Sequence, residues 1–174
     1  NFTMNTCENN LPFLYEGTKV TIRNFYGGLV GKIVPKHAGK TTTIDGFTNN
    51  GDITIKPVSE NEYSISGGIA YCDNGSNNLT FNLKDMTNNG NITVTTGKTD
   101  GSQYDIKHTR IAGLYAMTQR GTSTSKTYTH TFENLKNFGD ISVSKVAANS
   151  TTGTITVGGA LGLCYKKTAT VSNM

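Results

Sequence analysis

Two acids and two cations crowd into one stretch of this 174-residue chain: Asp100, Asp105, Lys107 and Arg110. Acids beside a Lys or Arg along a groove are the equipment of polysaccharide cleavage, where one group moves a proton and another offsets developing charge. Two loop acids this close in sequence arise cheaply, however. Nothing else in the chain completes a nucleophile, base and orienter in a recognisable order. The stretch therefore reads as a binding surface, with Asp100, Tyr104, Asp105, Lys107, Arg110 and Tyr128 as its candidate contacts. Tyr104, Tyr115, Tyr128 and Tyr165 would offer sugar-stacking platforms wherever their loops converge, and otherwise pack as amphipathic side chains.

The remaining reactive types are dispersed. His37, His108 and His130 lie in different loops or strand starts and read as isolated polar residues. Cys7, Cys72 and Cys164 form no CxxC and have no nearby histidine pair, so no metal site is expected. Cys72 and Cys164 read as small buried hydrophobes, and a disulfide from Cys7 to either is left open. No phosphate-cradling glycine motif leads into a helix, so no nucleotide cofactor is expected. Basic residues occur singly despite the net charge of +4, which argues against nucleic acid as a partner. No apolar run approaches the ~18 residues that span a bilayer, so membrane attachment would need an anchor outside this segment. Beginning at Asn1 without Met or a signal peptide, the chain reads as a processed form or an excised segment.

Repetition organises these residues. NNGDITI (49–55), NNGNITV (88–94) and NFGDISV (137–143) share an Asn-x-Gly turn followed by a β-branched strand, at spacings of 39 and 49 residues. The agreement extends upstream to the columns Ile44/Leu83/Phe132 and Phe47/Met86/Leu135 and downstream to Ile53/Ile92/Ile141 and Ile55/Val94/Val143. A second element alternates with the first: FYGGLVG (25–31), SGGIAYC (66–72), IAGLYAM (111–117) and VGGALGLC (157–164), with Gly28, Gly68, Gly113 and Gly159 taken as equivalent. A Thr-rich strand precedes each Asn-Gly turn. No stretch carries helical periodicity, and 20 glycines with only 16% charged residues suit a β-rich, loop-rich chain.

Antiparallel neighbours need complementary sequences, whereas a parallel solenoid stacks each strand on its own copy about 4.8 Å away. Like lies on like here, so the expectation is an all-β, right-handed parallel β-helix of about three to four irregular rungs, with three short strands per rung. Asn49, Gly51, Asn88, Gly90, Asn137 and Gly139 would form its turn ladder. Asp52, Asn91 and Asp140 would stack just after the turn, where two carboxylates around an amide suit Ca²⁺ but read better as solvated turn residues. Asp45, Lys84 and Glu133 would stack as a charge ladder. Residues 1–16 are assigned to an N-terminal capping segment, 17–174 to the repeat domain, and KVTI (19–22) to a degenerate strand copy.

At FYGGLVG, echoed by SGGIAYC and VGGALG with N-x-G-x-I-x-V between them, the sequence resembles GLUG-motif repeat proteins. Gly27, Gly28, Leu29, Val30 and Gly31 match the motif in full, and Ile111, Ala112, Gly113 and Leu114 depart from it by one glycine. The resemblance implies an extracellular, bacterial cell-surface solenoid of adhesin type and no catalytic residue. The reading that follows is a non-catalytic display module whose segments 95–110 and 118–130 contact a host glycoprotein or polysaccharide. Its competitors are a carbohydrate-active β-helix enzyme and a structural subunit of a surface assembly that self-associates end to end.

Overall fold

The computed structural model describes residues 1–16, 23–34, 38–56, 62–73, 78–96, 108–118, 128–145, 154–164 and 168–174. Those residues form seventeen strands and no helix. The strands stack in four parallel sheets. Sheet A holds β1 (Phe2–Asn9), β5 (Lys40–Asn49), β9 (Leu79–Asn88), β13 (Tyr128–Asn137) and β17 (Thr168–Ser172). Sheet B holds β2 (Phe13–Glu16), β6 (Ile53–Lys56), β10 (Ile92–Thr96) and β14 (Ile141–Lys145). Sheet C holds β3 (Arg23–Gly27), β7 (Glu62–Ser66), β11 (His108–Ala112) and β15 (Thr154–Gly158). Sheet D holds β4 (Val30–Ile33), β8 (Ile69–Cys72), β12 (Tyr115–Thr118) and β16 (Leu161–Cys164).

The molecule is a parallel β-helix. Its register is the one the repeats demand: Ile53 lies on Ile92 and Ile92 on Ile141, while Ile44 lies on Leu83 and Leu83 on Phe132. Three expectations need correction. Each full rung has four strands rather than three, because two residues within each glycine-rich element form a corner between sheets C and D. Gly28 is level with Gly67, not Gly68, since Gly27 pairs with Ser66. Residues 1–16 do not stand outside the repeat, for β1 and β2 pair in parallel with β5 and β6 as the first members of sheets A and B. KVTI (19–22) lies outside the described residues.

The odd spacing of the upstream columns has a backbone cause. Strict alternation from Ile44 would turn residues 46 and 48 inward, yet Phe47 and Asn49 are the buried ones. Between Ile44 and Phe47, Gly46 adopts φ +75°, and its stacked counterparts Thr6, Asp85 and Asn134 adopt φ 49°, 48° and 53°. One left-handed residue per rung bends the strand and shifts its inward phase by one. Glycine, Asp and Asn tolerate that region, whereas a β-branched Thr is strained there by about 1–2 kcal/mol. Thr6→Asn is accordingly expected to stabilise the protein by about 0.5–1 kcal/mol, seen as a rise in thermal midpoint; a fall would show that Thr6 is not a strained member of this column.

Two apolar cores run along the stack. Ile44, Phe47, Leu83, Met86, Phe132 and Leu135 of sheet A pack with Ile69, Cys72, Tyr115 and neighbours of sheet D. Ile53, Ile55, Ile92 and Val94 of sheet B pack with Tyr63, Ile65 and Ile111 of sheet C. Where the corner between A and B approaches the corner between C and D, the interior turns polar. Asn49 and Asn88, both with no exposed surface, sit there against glycines.

Candidate functional site

The asparagine column is bonded along its length. The Asn49 amide nitrogen donates to its own turn at Gly51 O (2.8 Å) and to Asn88 Oδ1 in the next rung (2.7 Å), and its oxygen accepts from Asn9 Nδ2 (2.7 Å). Asn88 repeats the pattern with Gly90 O (2.8 Å) and Asn137 Oδ1 (2.7 Å). Three hydrogen bonds per side chain satisfy groups that burial would otherwise penalise by about 1–3 kcal/mol each. The two repeated sequence motifs are the two sides of this one contact. A Cβ placed on Gly67 would fall inside 3.0 Å of Asn88 Oδ1 and of the Gly113 carbonyl, and one on Gly113 would meet Asn137 Oδ1 and the Gly159 carbonyl in the same way. Only a residue without a Cβ lets the ladder into the interior.

The same contact fixes two corners of each rung. Three residues always join A to B (10–12, 50–52, 89–91, 138–140), and two always join C to D (28–29, 67–68, 113–114, 159–160). The other corners vary: B joins C through 17–22, 57–61, 97–107 and 146–153, and D joins A through 34–39, 73–78, 119–127 and 165–167. Length variation is thus confined to two columns of connections, leaving the ladder untouched.

Of the sequence-expected contact residues, Asp100, Tyr104, Asp105 and Lys107 lie outside the described residues. The structure places the other two inside the body of the protein: Arg110 in β11 is 8% exposed and Tyr128 in β13 is 4% exposed. Tyr115, named as a stacking platform, is buried in the first core with ring centroids 5.8 Å from Phe81 and 5.3 Å from Phe132. His130 is buried in the same aromatic cluster, 5.6 Å from Phe81, while His108 is exposed. Cys7 packs against that core and Cys72 lies within it. Tyr165 and His37 fall outside the described residues.

Two other expected constellations are consumed by stacking. Asn91 N–H donates to Asp52 Oδ1 (2.8 Å), and Asp140 N–H donates to Asn91 Oδ1 (3.0 Å), so oxygens that would ligate Ca²⁺ hold successive turns together. No group of three or more His, Cys, Asp or Glu suited to a metal occurs among the described residues. In the charge column, Lys84 lies over Asp45 and under Glu133 and pairs with Glu133 at 3.0 Å. Its pKa is raised by the hydrogen bond and charge of Glu133, with Asp45 and Asp85 adding to it.

Sequence reasoning missed the seam between sheets C and D. Phe25 stacks on Tyr71 with centroids 4.3 Å apart, and Lys32 Nζ stands 5.6 Å and 5.4 Å from the two rings. Lys32 pairs with Asp73 (3.1 Å) and Arg23 with Glu62 (3.0 Å) at its margin. The seam is packed rather than open, since Tyr71 and Ser64 are buried.

Burial pushes the Tyr71 phenol up to about 12, with the Asp73 carboxylate adding to the rise. The Tyr26 phenol is raised too, first by burial and then by the hydrogen bond with Tyr15. Unfolded tyrosines ionise near 10, so the folded state favours the neutral phenols. Their contribution to stability is full below about pH 10 and is lost as pH rises toward 12. Urea midpoints measured from pH 8 to 12 are expected to fall above about pH 10, and Tyr71→Phe to flatten that fall; an unchanged slope in the variant would refute the assignment.

One shallow depression, lined by Gly39, Asn78, Leu79, Thr80 and Thr129, measures about 140 Å³. Pockets for small organic ligands begin at roughly 300 Å³, so it suits no such ligand. Among the described residues the arrangement is a continuous parallel stack in which two corners keep one length and two differ from rung to rung. Compared with known proteins, the chain matches no family model, no curated protein and no solved structure.

Proposed function

We propose that this protein is a non-catalytic, adhesin-like display module of the cell exterior, in which a rigid solenoid presents the connections 97–107 and 119–127 to a glycoprotein or glycan. The observation that carries the reading is the contrast among corners. Two are invariant in length because the asparagine ladder and the glycines lock them, while the other two lengthen up to the eleven residues of 97–107. Added length in such a connection costs little, about 0.6 kcal/mol per doubling, so sequence there is free to serve recognition. Asp100, Tyr104, Asp105 and Lys107 belong to the connection 97–107, and the GLUG-like run Gly27–Gly31 supports surface display.

The test replaces residues 97–107 with the five-residue connection 57–61. Stability is expected to change by less than about 1 kcal/mol, and binding on an array of host glycans and glycoproteins to be lost. No binding by the intact chain, or binding that survives the replacement, would overturn the reading.

A further inference from the structure

The turn at 9–12 reads Asn-Asn-Leu-Pro where the next rung reads Asn-Asn-Gly-Asp at 49–52. Register makes the two turns equivalent, because Asn9 pairs with Asn49 and Phe13 with Ile53. We propose that Asn9, Leu11 and Pro12 together seal this face of the solenoid, so that no further parallel rung can be added beneath it in register.

Three features of the turns at 88–91 and 137–140 face the rung below, and each is altered here. First, a Cβ on Gly51, Gly90 or Gly139 would fall inside 3.0 Å of the carbonyl of Leu11, Gly51 or Gly90 respectively, one rung down. Leu11 occupies the same column and carries a side chain, 74% exposed, in the space where a lower rung would put its carbonyl. Second, the Gly90 and Gly139 N–H groups donate to the Asn49 and Asn88 carbonyls of the rung below (3.2 and 3.3 Å), and the oxygens of Asn49, Asn88 and Asn137 accept from the asparagine of the rung below. In the first turn these two valences meet each other, with Leu11 N–H donating to Asn9 Oδ1 at 3.3 Å. Third, the Asn91 and Asp140 N–H groups reach down to side-chain oxygens of the previous turn. Pro12 has no N–H to offer. A sheet edge is a template for strand addition unless something blunts it. Here a misplaced side chain, an internally satisfied amide and a missing donor blunt the corner through which the ladder would continue.

The inference is independent of what the connections bind. Its test fuses a duplicate of residues 41–79 directly before Asn1, which supplies a complete rung at the natural spacing, and reads amide hydrogen exchange in the added strands. With Leu11→Gly and Pro12→Asp, which restore the Asn-Asn-Gly-Asp turn, the added amides equivalent to Ile53 and Ile55 are expected to be protected at least 100-fold over the same amides in a fusion that keeps Leu11 and Pro12. Leu11→Ala with Pro12→Asp is expected to remain unprotected, because a single Cβ suffices to block the carbonyl. Equal exchange in the restored and unaltered fusions, whether both protected or both open, would overturn the proposal, as would full protection in the alanine variant.

Discussion

Gly90→Ala is expected to destabilise the protein by more than about 4 kcal/mol, a loss reached only by a few mechanisms such as forced overpacking against fixed backbone. The added methyl would fall inside 3.0 Å of the Gly51 carbonyl oxygen and carbon and at 3.0 Å from Asn49 Nδ2. None of these atoms ends a flexible side chain that could swing away at little cost, because Asn49 Nδ2 is itself held by two hydrogen bonds. The turn would have to lift from the rung below, breaking the bond from Gly90 N–H to the Asn49 carbonyl and the ladder beside it. Gly159→Ala supplies the control. It belongs to the other glycine column, yet a Cβ there meets nothing within 4 Å, so its cost is expected to stay within about 0.5 kcal/mol. Similar losses in the two variants, measured by urea unfolding, would mean that close stacking is not what selects glycine.

Asn88→Ala is expected to cost about 3–4 kcal/mol. The substitution removes the donations to Gly90 O and Asn137 Oδ1 and the acceptance from Asn49 Nδ2. It leaves those partners facing a small void rather than water, and an unsatisfied buried group costs about 1–3 kcal/mol. Asn50 gives the contrast: its amide also bridges rungs, to Glu8 Oε1 (2.6 Å) and Asn10 Oδ1 (2.8 Å), but on the exposed side. Water replaces those partners, so Asn50→Ala is expected to change stability by less than about 0.5 kcal/mol. The calorimetric midpoints of the two variants separate a ladder that holds the fold from one that decorates it.

Much of the architecture could be read from identical residues recurring at matched positions, because parallel stacking is the arrangement in which a residue's neighbour is its own copy. Ile53, Ile92 and Ile141 declared the parallel pairing, and Asp45, Lys84 and Glu133 their charge column. What escaped the reading was local. A two-residue corner through Gly28 or Gly67 leaves no composition shift by which to split FYGGLVG into two strands. The left-handed residue at Gly46, Asp85 and Asn134 shows in the sequence only as an inward spacing of three where alternation gives two or four. The first turn escaped because its own copy of the repeat has Leu11 and Pro12 in place of Gly and Asp, the very substitutions that close the face.

The candidate contacts were less legible. Loop residues were chosen for their chemical types, and type says nothing about which way a side chain turns: Tyr115 and Tyr128 went to the interior, where a ring contributes more by burial than by stacking a sugar at the surface. The functional reading consequently rests on the lengths of the connections, which the four-sheet frame makes measurable, and not on a constellation of reactive groups.

The most direct test of in-register parallel stacking uses isoleucine δ-methyl labelling and nuclear Overhauser spectroscopy on Ile53, Ile92 and Ile141. Strands one rung apart lie about 4.8 Å from each other. The account predicts strong cross-peaks from Ile53 to Ile92 and from Ile92 to Ile141, with a far weaker one from Ile53 to Ile141. Absence of the two nearest-neighbour cross-peaks, with the methyls instead reporting contacts to strands outside their own column, would contradict it.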